Sequence, residues 1–163
     1  MEISKGAGTL DYLNNFPYLD QVVKEGLRIR PTIPMVLREL ACDVTYRGFT
    51  VPKGSQVFIP ILAVHHDPEI YPNPNKFDPD RFSPDNKEKI SKAFIPFAVG
   101  PRRCIGQTFA ILKMKIIIAT IVKNFKTVAP KPVDRIKYDF DIICYSKEPL
   151  QVQFFTRRQH FKI

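Results

Sequence analysis

Most of the 15 prolines in this chain of 163 residues lie between Pro31 and Pro101, and that distribution limits the fold before anything else does. Proline fixes φ and donates no backbone hydrogen bond, so helices across this interval must be short and loops numerous. Only the flanking segments have room for a long helix. On the N-terminal side, NNFPYLDQVVKEGLR places Leu19, Val22, Val23 and Leu27 on one face, with Asn15 positioned as a cap and Pro17 in the first turn. Pro31 ends that helix. On the C-terminal side, Gln107 to Phe125 is apolar nearly all round except for its lysines, the pattern of a buried helix with one charged edge.

Between the two helices, the runs CDVTY, FTVP and QVFIPI from Cys42 to Ile61 are of β type. The turn signals Arg47-Gly48 and Pro52-Lys53-Gly54 break them into a small sheet of hairpins. Residues 65–101 read as a long meandering loop with one helical turn, and such a loop inside a compact domain is usually functional. The tail YDFDIICYSKEPLQVQFFTRR predicts two strands joined at Lys147-Glu148-Pro149. The fold class expected is mainly α with small β-sheets (α+β). The length suits one domain, and hydrophobic residues at 44% with charged residues at 25% provide for a core.

Cys42, Cys104 and Cys144 are odd in number and far apart, which suits a reducing compartment better than a disulfide framework. No CxxC pair offers structural zinc ligands. For Cys42 and Cys144 the simplest reading is a buried, inert thiol. The longest uncharged apolar runs, Val57 to Val64 and Ile116 to Val122, fall far short of the roughly 20 residues that span a bilayer, so no membrane span is expected in this chain.

A net charge of +9 raises the question of nucleic acid, and the position of the charge answers it. From Arg102 to Lys126 there are six basic residues and no acidic one: Arg102, Arg103, Lys113, Lys115, Lys123 and Lys126. No stacking aromatics are interleaved with them, and no helix-turn-helix or finger pattern accompanies them, so no nucleic-acid partner is expected. The stretch is either a solvated helix face or a docking surface for an acidic protein, centred on Cys104.

FAVGPRRCIG, residues 97–106, surrounds that cysteine with what a metal-bound thiolate needs. Gly100 and Gly106 remove side chains where a planar ligand would press on the chain, and they permit turns with positive φ. The helix that follows directs its free N–H groups and positive dipole end toward the sulfur. Arg102 can reach a carboxylate of the same cofactor through charge-assisted hydrogen bonds.

The arrangement Phe97-x-x-Gly100-x-Arg102-x-Cys104-x-Gly106 resembles the haem-binding signature of the cytochromes P-450, in which the cysteine is the axial thiolate ligand of haem iron. Further motifs agree with it. Glu25-Gly26-Leu27-Arg28 is similar to the family's E-x-x-R helix, and Pro79-Asp80-Arg81-Phe82 to its Pro-x-Arg-Phe segment. The resemblance implies that Cys104 binds the iron of haem b and that Arg102, Arg38, Phe97, Gly100 and Gly106 contact the cofactor, the two arginines at its propionates. It also implies a structural charge network of Glu25, Arg28 and Arg81. Pro34, Met35 and Val36, with Phe140, Asp141, Ile142 and Ile143, match substrate-contacting stretches. His65 and His66 stand where the family often has His-Arg and read as loop-packing residues.

The likeness runs from about Leu10 to Arg158 and is strongest to the fatty-acid ω-hydroxylase branch, family 4, and its insect relatives. Arg103 and Lys113 depart from that branch, which commonly has asparagine and glutamate there; both changes make the cysteine side more basic. The implied activity is a monooxygenase that uses O2, and electrons from NADPH through a flavoprotein reductase, to hydroxylate a lipophilic substrate of fatty-acid or xenobiotic class. The implied location of the parent enzyme is the cytosolic face of the endoplasmic reticulum. By the same resemblance, residues 1–163 form one partial domain, the C-terminal third or so of such an enzyme. The acid-Thr pair that delivers protons, the propionate-binding helix and the anchor then have no counterpart, so no catalytic residue is expected here and the chain alone is not expected to turn over. A non-catalytic haem-binding or interaction module, and a basic protein without cofactor, are the alternatives.

Overall fold

The structure, a computed structural model, describes residues 16–86, 90, 92–132 and 135–157. Helix α1 spans Pro17–Ile29. Asn15 lies outside the described residues; Phe16 holds the N-cap position without a side-chain cap bond, and Pro17 begins the helix with its φ already suited to it. Arg30 closes the last turn by donating its N–H to the Gly26 carbonyl at 3.0 Å, and Pro31 cannot continue it. Val23, Leu27 and Ile29 are buried, whereas Leu19 and Val22 are half-buried.

Four short strands follow, β1 (Val36–Glu39), β2 (Val44–Tyr46), β3 (Phe49–Val51) and β4 (Gln56–Ile59). β2 and β3 form a hairpin whose two turn residues, Arg47 at φ 49° and Gly48 at φ 83°, both lie in the left-handed region that suits the twist of the strands. β4 does not extend that hairpin, contrary to the sequence expectation. It pairs antiparallel with β1, Val36 opposite Ile59 and Glu39 opposite Gln56, so the β2–β3 hairpin is nested inside an outer one. Pro52 has no N–H for a ladder, and Gly54 at φ 83° turns the chain away from β3, donating its N–H to Leu40 at 2.9 Å.

Helix α2 (Ile61–His65) leads into the meander, whose described residues hold three 3₁₀ turns where the sequence suggested one turn: Pro79–Phe82, Pro84–Asn86 and Gly100–Arg102. Proline opens the first two, its φ being already compatible with them. Helix α3 (Gln107–Asn124) then gives way to β5 (Phe125–Val128). The tail carries β6 (Tyr138–Phe140), β7 (Cys144–Ser146) and β8 (Gln153–Thr156). Here the two-strand expectation is corrected. β6 and β7 make their own hairpin around Asp141–Ile143, while β8 returns to pair with β5, so Lys147-Glu148-Pro149 is part of a crossover.

Burial is concentrated around α1 and the meander. The apolar core consists of Val23, Leu27, Ile29, Ile61, Tyr71 and Ile90, and at its centre Glu25, Arg28 and His65 have no exposed surface. Arg28 donates Nε to Glu25 Oε2 at 2.7 Å and Nη2 to Oε1 at 2.9 Å. Its remaining donors reach the carbonyls of His65 and Pro74, both at 2.8 Å, and of Lys76 at 3.3 Å. Glu25 also accepts the Asp78 N–H at 2.9 Å. By contrast, α3 has no buried residue among those described, although its composition predicts a buried helix. A helix apolar on every side needs cover on every side, and the described residues supply it along only part of the surface.

One polar clip joins the two long helices. Asp20 takes Lys24 Nζ at 2.6 Å on its own helix and Lys115 Nζ of α3 at 2.7 Å. Partial burial works against ionising Asp20, but the hydrogen bonds from Lys115 and Lys24 outweigh it and hold the carboxyl below its usual range.

Arg28→Met leaves the Glu25 carboxylate buried without its partner and should cost about 3–5 kcal/mol in urea denaturation. The double change Glu25→Met with Arg28→Met should cost less than the sum of the single changes, and strict additivity would show that the two do not act as a pair. Asp20→Asn should lose about 1 kcal/mol at neutral pH. Because the folded carboxyl has the lower pKa, that contribution is present above 3.8 and fades as pH falls through the folded value, so wild type and variant should converge in acid.

Candidate functional site

The loop that carries Cys104 is shaped by its own backbone. Cys104 N–H donates to the Phe97 carbonyl at 2.9 Å, Ala98 N–H to Ile95 at 3.0 Å and Arg103 N–H to Gly100 at 3.1 Å. Gly100, at φ 79°, starts the 3₁₀ turn in a conformation that a Cβ would disfavour. Ala98 adopts φ 59° with a Cβ present, a strain of roughly 1–2 kcal/mol that the surrounding hydrogen bonds must hold. The sequence reading of Gly106 is corrected. Its φ is −84°, so it serves no left-handed turn; it is the N-cap of α3. A Cβ built on it would stand 3.8 Å from Cys104 Sγ, in van der Waals contact with the sulfur.

Cys104 is exposed, as are Arg102 and Arg103 beside it, and Ile105 is fully open to solvent. Neither Arg102 nor Arg38 has an acidic partner among the described residues, which leaves both charges available to a ligand carboxylate; Arg38, on β1, donates only to the neighbouring Leu37 carbonyl at 2.8 Å. No group of three or more His, Cys, Asp or Glu side chains that could hold a metal ion exists among the described residues. A single thiol therefore suits a metal that arrives already held by its own ligand. Phe97 is half-buried. The residues present thus fit a planar, anionic, metal-bearing cofactor.

Arg81 joins the Glu25 and Arg28 cluster from the meander. Its Nε lies 3.6 Å from Glu25 Oε1, too far for a hydrogen bond, so it contributes charge, while Nη2 donates to the Asn73 carbonyl at 3.0 Å. The two apolar stretches matched to substrate contacts come from opposite ends of the chain, and one backbone bond draws them into the same region: Cys144 N–H donates to Thr32 O at 2.7 Å. Arg30 stacks over the Tyr138 ring at 4.3 Å in support. Pro34 is buried, Val36 is half-buried and Met35 exposed; Phe140, Asp141, Ile142 and Ile143 are exposed at the β6–β7 turn.

Two sequence readings change. Lys115 does not belong to a free basic face, because it is committed to Asp20. Cys42 is exposed and Cys144 half-buried in a strand, so neither is a buried thiol. His65 is a packing residue as expected, wholly buried, and burial lowers its pKa to about 4. Tyr71, edge-on to His65 and under the Arg28 guanidinium at 5.2 Å, is pushed up to about 12 by its burial. No local pattern announces the Asp20–Lys115 or Thr32–Cys144 contacts, whose partners lie far apart in the chain.

The family model described as Cytochrome P-450 matches residues 4–154. Among curated relatives, Cytochrome P-450 4A10 of Rattus norvegicus is 42% identical over 134 residues, covering 78% of this chain and 26% of that protein. Cytochrome P-450 9e2 of Blattella germanica is 40% identical over 141 residues, covering 82% and 26%. Probable cytochrome P-450 4ac1 of Drosophila melanogaster is 35% identical over 145 residues, covering 88% and 28%. The solved structure of retinoic acid bound cyanobacterial CYP120A1 superposes with a TM-score of 0.83 at 34% identity, over 96% of this chain and 36% of that one. The chain spans about a quarter of the length of the curated relatives it matches. With its Cys104 loop, its E-x-x-R helix and its meander in one superposable arrangement, this chain belongs to the cytochrome P-450 family.

Proposed function

We propose that the chain supplies the thiolate side of a haem monooxygenase. The observation that carries this reading is the exposed thiol of Cys104, on a residue whose N–H is fixed to Phe97 O, with an arginine two residues away that has no acidic partner among the described residues. Cys104 would hold the iron of haem b through its thiolate, Arg102 and Arg38 would take the propionates through charge-assisted bonds, and Phe97, Gly100 and Gly106 would line the thiolate side. When bound, haem with a thiolate ligand supplies the activation of O2 that hydroxylates an unactivated C–H bond.

The chain's own residues divide the remaining work. Met35 and Val36, with Phe140, Ile142 and Ile143, drawn toward one another by the Thr32–Cys144 bond, present apolar surface beside Pro34 and Asp141 that suits a lipophilic substrate, of fatty-acid or xenobiotic class by analogy with the family 4 relatives. Arg102, Arg103 and Lys113 are exposed on the cysteine side, where they would steer an acidic flavoprotein reductase that delivers electrons from NADPH. No helix among the described residues is long and apolar enough to cross a membrane. The cytosolic face of the endoplasmic reticulum is proposed for the enzyme on family grounds.

A second, narrower reading takes the chain by itself as a haem-binding module without turnover.

Reduction with haem under carbon monoxide should give the red-shifted Soret band of thiolate ligation, and Cys104→Ala should abolish it; an unchanged band in the variant, or no haem uptake by the wild type, overturns the haem-thiolate reading. With a fatty acid, NADPH and a reductase added, the chain alone should form no hydroxylated product above background. Product formation would refute the narrower reading and establish a complete enzyme.

A further inference from the structure

The Cys104 loop begins at Ile95, and its beginning is fastened to a single side chain. Ile95 N–H donates to His65 Nε2 at 3.0 Å. Ala98 N–H returns to the Ile95 carbonyl at 3.0 Å, and Phe97 O receives the Cys104 N–H at 2.9 Å, so the fastened residue lies one short turn from the thiol's own backbone bond. His65 cannot drift. It has no exposed surface, stacks on Phe94 with ring centroids 5.5 Å apart, and meets Tyr71 edge-on at 6.4 Å. Its carbonyl accepts Arg28 Nη1 at 2.8 Å. A continuous set of hydrogen bonds therefore runs from the Glu25–Arg28 pair through His65 to the segment that holds Cys104.

We infer that His65 is the positioning residue of the thiolate loop: as a neutral imidazole it accepts the Ile95 N–H and transmits the placement of the buried Glu25–Arg28 pair to Cys104. The inference rests on the proposed role of Cys104 as iron ligand, and it goes beyond that role by assigning a residue that sets the ligand's position. Packing alone does not account for an imidazole here. Its Nδ1 is buried with no close hydrogen bond among the described residues, only the approach of the Arg28 and Leu27 backbone, so a hydrocarbon of similar size would fill the space with one fewer polar atom to satisfy. What the hydrocarbon could not supply is the acceptor for Ile95.

The acceptor exists only while the ring is unprotonated. Burial holds the His65 pKa at about 4; the Arg28 and His66 charges act in the same direction, against backbone hydrogen bonds at Arg28 and Leu27 that favour the proton. The groups facing it are Arg28 on α1, His66 just past the end of α2, and the uncharged Tyr71 of the meander. Because the folded value lies below the ordinary 6.5, the acceptor's contribution is complete above 6.5 and is lost as pH falls toward 4.

The test compares His65→Leu, which removes the acceptor, with His65→Gln, whose amide oxygen reaches about as far as Nε2 and does not titrate. Amide hydrogen exchange at Ile95 and Cys104 and the reduced carbon-monoxide Soret band are read on the haem-loaded protein. His65→Leu should speed exchange at both amides by about tenfold or more and reduce the thiolate band, with His65→Gln close to wild type. Wild-type exchange at Ile95, corrected for the intrinsic chemical rate, should rise between pH 6.5 and 4, and His65→Gln should stay flat. Unchanged exchange and an unchanged band in His65→Leu, or a glutamine variant that behaves as the leucine one, overturns the inference. Should His65→Leu fail to fold, parallel pH profiles of wild type and His65→Gln overturn it equally. Absence of a thiolate band in the wild type defeats the haem reading alone, since exchange at Ile95 still decides whether His65 holds the loop.

Discussion

The buried pair of Glu25 and Arg28 is the interaction on which the described structure depends. Two charges with no exposed surface are expensive to desolvate, and only close geometry with full hydrogen bonding compensates. Here the pair is bidentate, and the remaining guanidinium donors are distributed among carbonyls of His65, Pro74 and Lys76. The choice of arginine follows from the segment it organises. The meander sends Tyr71 and Ile90 into the core, but it is rich in proline, so its carbonyls have few N–H partners nearby. A planar fork with five donors can gather several turns at once, which neither a lysine nor an apolar residue could do.

Much of the fold is legible in the sequence where the determinant is local. Pro17 and Pro31 bracket α1, the spacing of Glu25 and Arg28 puts them on adjacent turns of one helix face, and Arg47-Gly48 marks a two-residue hairpin turn. Pairings between distant segments are not written in any window. β1 meets β4 around a nested hairpin, and β8 meets β5 after passing the β6–β7 hairpin, each decided by tertiary context. Likewise the composition of α3 predicts burial, but burial is a property of what lies against a helix and not of the helix alone. At the candidate site, the spacing around Cys104 and the left-handed Gly100 follow from sequence, whereas the N-cap role of Gly106 and the full burial of His65 require coordinates.

The Cys104 loop stores strain at Ala98 and exposes its thiol, so its shape has to be imposed from outside. Both ends of the loop are referred to the same helix. Its beginning is held through Ile95, His65 and Arg28, and its end runs into α3, which Lys115 ties to Asp20 of α1. The two ties differ physically. In the first, His65 and Arg28 have no exposed surface and Ile95 is half-buried, so salt screens little and the hydrogen bonds are strong. The second joins an Asp20 carboxylate that remains about a third exposed, with side-chain relative exposure of 31%, and is open to screening. A loop clamped in this way takes its reference from α1 chiefly through the buried tie, with the ionic clip setting the angle at which α3 leaves. The thiol is therefore placed by the charge pair more than by the helix that follows it.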